Sequence, residues 1–305
     1  MIKTLDALLQ RAKDVGPLTI SVAVAQDLDV LEAVDEARKE GICRAILVGD
    51  RSGIQREAAR GGIELDEYEI VDVSDDAEAS LEAVKLVSSG KAELLMKGMV
   101  KTATFLKAVL NKEVGLRTGN LLSHVYLHEI DGYDHIIFIT DGAMNIAPDL
   151  KQKAQIIENA ASLARRAFGV AVPKVAVLAA VEVVNPEMPA TLDAAALSKM
   201  ADRKQIKGVE VDGPLALDNA VSEVAARHKG IQSSVAGKAD ILLVPDIEAG
   251  NMLAKSVVYF ARPKTAGIVV GAKAPIVLTS RADSPETKLY SIATAVSMAA
   301  GGLHE

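Results

Sequence analysis

Short runs of Val, Ile and Leu alternate with longer Ala- and Leu-rich stretches along the whole chain, and this alternation restricts the fold more than any other feature. Apolar runs of strand length fall at 18–24, 45–48, 94–96, 136–140, 175–180, 241–244, 268–270 and 276–278. Runs this short and this uniformly apolar predict strands buried on both faces. Helical patterns fall between them at 28–40, 77–89, 102–111, 149–168, 190–201, 216–226 and 285–299, where Ala and Leu favour helix. Strand–helix–strand alternation predicts an α/β protein with a mainly parallel sheet and helices on both faces. At roughly 100–200 residues per domain, 305 residues suggest two domains, and a hydrophobic content of 50% supplies a core for each. No repeat, low-complexity tract or long Pro/Gly linker marks a boundary. The split is therefore expected in short crossovers, with a first domain of 1–123 plus 281–305 and a second of 124–280.

Composition narrows the partners. A net charge of −7 argues against a nucleic-acid binder, which carries a basic field. An aromatic content of 3% without Trp gives no base-stacking platform. The single cysteine, Cys43, excludes an intramolecular disulfide framework and fits a reducing compartment. The first 16 residues mix charge with leucine and lack the apolar core of a secretory signal. No apolar stretch approaches the ~20 residues of a membrane helix. The expected address is the cytoplasm, with no membrane partner.

Ligands of open α/β sheets bind at the carboxyl ends of strands, so the strand exits hold the candidate site. Lys97-Gly98-Met99 follows one run, with Thr102 and Thr104 opening a helix. Asp141-Gly142-Ala143-Met144-Asn145 follows another; Asn145 faces the site or serves a turn. Gly250-Asn251, with Lys255 four positions on, places a donor and a cation at a helix start, or a cation on a solvated face. Arg117-Thr118-Gly119-Asn120 offers a further cation in a loop. The most informative exit is Thr279-Ser280-Arg281-Ala282-Asp283-Ser284-Pro285. Pro285 suits a first helical turn, and Asp283 or Ser284 suits its cap. Arg281 beside the positive helix terminus makes an anion site, its guanidinium fork matching phosphate. Asp283 is either a cap or a catalytic acid. Glu286 is either catalytic or a first-turn acid favoured by the helix dipole.

Other motifs fail. Gly230 and Gly237-Lys238 are separated by six residues rather than the four of a P-loop, and Ala239 replaces the magnesium-binding hydroxyl. No dinucleotide fingerprint follows a strand, and no nucleophile elbow exists. His124, His128 and His135 lie near Glu129, Asp131 and Asp134, but no third converging ligand is set for a metal. The alternative is a solvated hairpin turning at Asp131-Gly132. Cys43 reads as a small buried hydrophobe.

Taken in series, several segments resemble the phosphate acetyl/butyryltransferase family. Val244-Pro245-Asp246-Ile247-Glu248-Ala249-Gly250-Asn251 is similar to its P-D-x-x-x-G-N segment, and Thr279-Ser280-Arg281 to its Ser-Arg element. Val211-Asp212-Gly213-Pro214-Leu215-Ala216-Leu217-Asp218 and Ala236-Gly237-Lys238-Ala239-Asp240 also resemble family segments. Glu182-Val183-Val184-Asn185-Pro186-Glu187-Met188-Pro189-Ala190-Thr191 resembles the butyryl branch in particular. The likeness runs from residue 94 to the end.

The resemblance implies two α/β/α domains similar to isocitrate and isopropylmalate dehydrogenases, with an interdomain cleft. It implies reversible transfer of a short acyl group, butyryl foremost, between CoA and inorganic phosphate. The thiolate attacks directly in a ternary complex, with no metal, no bound cofactor and no covalent acyl-enzyme. It also implies a homodimer or larger homo-oligomer and metabolic coupling to an acyl kinase. Ser280 would hydrogen-bond the thiol or the carbonyl oxygen, and Arg281 would steady the developing negative charge. Lys97, Thr102 and Thr104 sit where the family has a phosphate- or CoA-facing loop, although the acetyl branch commonly has Ser-Gly at Lys97-Gly98. The acetyl branch uses an aspartate several residues after Ser-Arg as thiol base. Counting here arrives at Glu286-Thr287, which leaves Asp283 and Glu286 as the acids to consider. Acetyl transfer is the alternative substrate reading. A metal- and NAD-dependent dehydrogenase would need Asp141, Asp240 and Asp246 to converge, and a non-catalytic acyl-CoA-binding protein would not need the Ser-Arg pair.

Overall fold

The computed structural model describes residues 1–280 and 282–301. Its contacts divide the chain into two units. One comprises Leu5–Asn120 and the segment from Ala266 onward; the other comprises Met1–Thr4 and Leu121–Thr265. The chain returns to the first unit at residue 266, earlier than the 281 expected from sequence, because the strand formed by residues 276 and 277 pairs with one from the first unit.

The terminal unit contains strands β1 (Leu18–Ala23), β2 (Cys43–Gly49), β3 (Glu69–Asp72), β4 (Leu94–Lys97), β10 (Lys264–Val270) and β11 (Ile276–Val277). Its strand order is β3-β2-β1-β4-β11-β10. All neighbours run parallel except β10 and β11. The helices are α1 (Leu5–Val15), α2 (Leu28–Lys39), α3 (Arg51–Gly61), α4 (Asp76–Ser88), α5 (Thr102–Val109) and α11 (Pro285–Ala300). Helix α11 packs on α1 and α2, and α2 on α3, while α4 packs on α5. The chain runs outward from β1 through β2 to β3 and then returns to β4 on the other side of β1. This places a topological switch point between β1 and β4. Side-chain caps start the helices sharply. Asp27, Asp50, Asp75 and Ser284 each accept a hydrogen bond from a first-turn amide of α2, α3, α4 and α11 respectively.

The central unit contains β5 (Ser123–Glu129), β6 (Ile137–Thr140), β7 (Lys174–Leu178), β8 (Glu210–Leu215) and β9 (Ile241–Leu243), in the order β5-β6-β9-β7-β8. Only the β5–β6 pair is antiparallel. Its helices are α6 (Leu150–Phe168), α7 (Pro189–Asp202), α8 (Leu217–Val221), α9 (Glu223–His228) and α10 (Ile247–Ser256), the last continued by a π-helical turn, Val257–Ala261. A capping box of Asp149 and Gln152 starts α6, and Gly169 at φ 69° ends it. Ile137, Ile139, Leu215, Val235 and Leu242 form part of its apolar core.

Two local expectations change. The helix expected over 216–226 is broken at Ser222, whose extended backbone ends α8 and whose hydroxyl caps α9 through the Ala225 amide at 3.3 Å. Asp212-Gly213-Pro214, residue types that in sequence predict a turn, lies inside β8 instead. A Cβ at Gly213 would stand 2.9 Å from Val177 Cβ, so glycine allows this close approach to β7.

Candidate active site

In the terminal unit, β1, β4 and β11 are parallel neighbours, so their carboxyl ends share one edge. Lys97 ends β4 and is 6% exposed. Its ammonium donates to the carbonyls of Gly98 at 3.0 Å and Val100 at 3.1 Å, bracing the loop it stands in. That loop presses against the end of β1. Gly98 N–H donates to Ala23 O and Met99 N–H to Val24 O, both at 2.8 Å. A Cβ at Gly98 would fall 2.2 Å from Val24 O, so only glycine fits there. Thr102 then opens α5 in an exposed position, and the preceding Lys101 supplies no side-chain cap. Arg117 is exposed on a loop fastened by the Thr118 hydroxyl to Gly271 O at 2.7 Å and by Lys273 N–H to Leu116 O at 2.9 Å.

At the exit of β11 the backbone makes a compact turn. The Asp283 carboxylate accepts the Ser280 amide at 2.7 Å, the Asp283 amide donates to Ser280 O at 3.2 Å, and Ser280 Oγ accepts the Ala282 amide at 3.3 Å. Ser280 is exposed and Asp283 half-buried. Arg281 lies outside the described residues. Of the two possible caps for α11, Ser284 serves, accepting Thr287 N–H at 3.2 Å. The Asp283 carboxylate is spent on the turn. Glu286 is exposed in the first turn of α11. Sequence reasoning missed Lys288, which is 3% exposed and donates from Nζ to the Asp283 carbonyl. Its signal was a cation on a face otherwise filled by small and apolar residues.

In the central unit, β6 and β9 also leave side by side. Buried Asp141 gathers the loop after β6. Its carboxylate accepts the Ala143 amide at 3.0 Å, the Met144 amide at 3.1 Å and the Asn145 side-chain amide at 2.5 Å. Asn145 also donates to Leu122 O at 2.8 Å, so it clamps the loop. Asp246 caps α10 through the Ala249 amide at 2.8 Å. Gly250 lets α10 touch this loop: a Cβ there would meet Gly142 Cα at 2.7 Å. Asn251 Nδ2 then donates to Gly142 O at 3.1 Å. The P-D-x-x-x-G-N segment is thus a cap, a close approach and a clasp. Lys255 is exposed on the last turn of α10.

The three aspartates considered as metal ligands have separate structural tasks. Asp141 and Asp246 hold the loop and the cap just described, and Asp240 accepts the Lys174 amide at 2.8 Å. Among the described residues, no three His, Cys, Asp or Glu side chains converge. Cys43 is buried and its thiol is pushed up to about 12 by that burial, which suppresses the thiolate.

The histidine hairpin is not solvated as expected, since His124 and His128 are both buried on β5, flanking Tyr126. Burial, reinforced by the charge of His124, pushes His128 down to about 4. The unfolded imidazole titrates near ~6.5. The unfolded chain therefore binds more protons between those values, and this site loses stability as pH falls through that window. Between pH 7 and 5 it removes about 2 kcal/mol from the central unit. Denaturant titrations at both pH values should show this fall in the wild type and its removal in His128→Phe. An equal fall in both chains contradicts the assignment.

The chain matches the family described as "Phosphate acetyl/butaryl transferase" over residues 3–82 and 76–296, and it belongs to that family. It is 55% identical over 300 residues to a phosphate butyryltransferase of Clostridium beijerinckii, covering 98% of this chain and 99% of that one. It is 48% identical over 289 residues to a phosphate acetyltransferase of Thermotoga maritima, covering 95% and 97% of the two chains. Among solved structures, a branched-chain phosphotransacylase from Enterococcus faecalis V583 is similar, with TM-score 0.82, 37% identity and coverage of 92% and 99%. The fold is also similar to 4-hydroxythreonine-4-phosphate dehydrogenase from Klebsiella pneumoniae, with TM-score 0.58, 13% identity and coverage of 93% and 100%. The dehydrogenase-like fold expected from the sequence is thus present. No helix among the described residues is long and apolar enough to cross a membrane.

Proposed function

We propose that the chain is a phosphate acyltransferase that moves a short acyl group, butyryl foremost, reversibly between CoA and inorganic phosphate. The observation that carries this reading is the 55% identity, over nearly the full length of both chains, to a protein named phosphate butyryltransferase. Acetyl transfer is the second reading, favoured by the 48% identity to a phosphate acetyltransferase.

In one direction a phosphate oxygen attacks the thioester carbonyl carbon, the C–S bond breaks, and CoA thiolate and acyl phosphate result. In the other, the CoA thiolate attacks the acyl phosphate carbonyl and the C–O bond to phosphate breaks. Both pass through a tetrahedral oxyanion that needs donors and positive charge already in place. We assign the exposed Ser280 hydroxyl to hydrogen-bond the reacting sulfur or carbonyl oxygen, and Arg281 to balance the developing charge. Asp283 shapes the turn that presents Ser280, which makes it a poor thiol base; Glu286 remains the exposed acid of that segment. Lys97 and Thr102 contribute a positively biased loop and an uncapped helix start on the same sheet edge. Arg117, Asn145, Gly250, Asn251 and Lys255 complete the proposed substrate-binding set, with Asn145 and Gly250 acting through the loops they hold. CoA and phosphate are substrates in this scheme and no resident cofactor takes part. The enzyme would work in the cytoplasm as a homodimer or larger homo-oligomer and hand acyl phosphate to an acyl kinase.

A thiol reagent reports the reaction directly. Butyryl-CoA should release CoA only when inorganic phosphate is present, and acetyl-, propionyl-, butyryl- and isobutyryl-CoA should be ranked by initial rate. Phosphate-independent release would make the chain a thioesterase instead. A fastest rate with acetyl-CoA would move it to the acetyl reading.

A further inference from the structure

The geometry points to Lys288 as a positioning residue for Ser280, its buried ammonium holding the Asp283 carbonyl and so fixing the turn that presents the serine hydroxyl. This rests on the acyl-transfer reading, which makes Ser280 a reacting-site residue.

Lys288 is the fourth residue of α11 and is only 3% exposed. Lysine is rarely buried this far without partners, and a cation near a helix N-terminus opposes the helix dipole. The location is unfavourable for a residue whose only task is packing, which a methionine would perform. What the lysine supplies is a donor. Asp283 precedes the Ser284 cap, whose hydroxyl accepts the Thr287 amide. Lys288 Nζ donates to the Asp283 carbonyl, and Asp29 Oδ2 stands 3.9 Å from the same ammonium. The turn is closed by the Ser280 amide on the Asp283 carboxylate and the Asp283 amide on Ser280 O. Lys288 therefore holds the carbonyl of the residue whose amide and carboxylate hold Ser280.

Docking of α11 does not depend on this bond. The Ser291 hydroxyl accepts the Gly267 amide at 2.9 Å, and the Tyr290 hydroxyl donates to Asp6 at 2.6 Å. Loss of Lys288 should loosen the turn and leave the helix in place.

The test uses the full chain with Lys288→Met and Lys288→Ala. Lys288→Met should lose about 30-fold or more in kcat while KM for butyryl-CoA stays within about three-fold. In Lys288→Ala, ethylammonium should restore kcat saturably by about ten-fold, and sodium chloride at equal ionic strength should not. Hydrogen exchange at the amides of 280–284 should accelerate about ten-fold in Lys288→Met, with no change at 292–298. Wild-type kcat in Lys288→Met, unchanged exchange at the turn, or a loss of activity that only follows loss of folded protein without amine rescue would each overturn the proposal. A Lys288→Met chain that fails to fold assigns the residue to the fold and overturns it too. The exchange measurement needs no turnover. If the wild type shows no phosphate-dependent CoA release, the acyl-transfer reading fails while the anchoring of the turn is still decided.

Discussion

Arg281→Ala is expected to lower phosphate-dependent turnover of butyryl-CoA by two to four orders of magnitude, with the melting temperature held within a few degrees of wild type. Removing one preorganised donor from a developing oxyanion reduces rates by roughly 10²–10³. Arg281 would serve both the oxyanion and a multiply charged phosphate, so its loss should exceed that of a single neutral donor. The effect should fall on kcat more than on KM for the acyl-CoA, because the charge it meets develops in the transition state. Arg281→Lys should recover only part of the rate, since an ammonium cannot make the paired contacts of a guanidinium fork. Steady-state rates over a phosphate series check this. Turnover near wild type in Arg281→Ala removes the residue from the mechanism.

Gly250→Ala should lower both stability and rate. The added methyl would meet Gly142 Cα and Val244 Cγ2, each at 2.7 Å, and Asp141 O at 3.1 Å. Backbone stands on one side of this contact and a branched side chain on the other, so neither yields cheaply. Helix α10 must shift away from the Asp141 loop, and the Asn251 clasp on Gly142 O lengthens with it. Overpacking of this kind costs about 1–3 kcal/mol. At roughly 2–4 °C per kcal/mol for a large domain, the melting temperature should fall by roughly 2–12 °C. A calorimetric scan with no fall would show that α10 and the Asp141 loop slide past one another freely.

The layered α/β plan was legible because buried parallel strands are apolar throughout. Runs such as Leu94-Leu95-Met96 and Ile241-Leu242-Leu243 admit no other placement near a helix-rich background. Strand β3 escaped notice because it is a half-buried edge strand, carrying Glu69 and Asp72. Helix α1 did so because its charged residues mask a narrow apolar stripe through Leu5, Leu8 and Ala12. The interruption at Ser222 lies in a continuous alanine-rich pattern, and only the hydroxyl that caps α9 distinguishes it from a helix interior.

The candidate site was legible as segments rather than as side-chain roles. The Ser-Arg and Gly-Asn elements could be located, but spacing does not say which polar group faces ligand and which ties down a loop. Asn145 and Asn251 bond to backbone within their own unit. Lys97 braces its own loop, and Asp283 closes its own turn. Lys288 was hidden for the converse reason, as a charged residue within a helix, where solvent exposure is the ordinary expectation. The histidines of β5 suggest a polar hairpin because imidazole reads as hydrophilic, whereas their neighbours Val125 and Leu127 draw the strand into the core.

Whether the chain joins phosphate to an acyl group is settled by the phosphorus itself. Butyryl-CoA and inorganic phosphate incubated with the enzyme can be followed by phosphorus NMR alongside thiol release. An acyl phosphate resonance should grow in step with free CoA, one for one, and should fall when CoA is added back. Free CoA accompanied by butyrate, with inorganic phosphate left unchanged, would mean that the chain does not carry out phosphate acyl transfer.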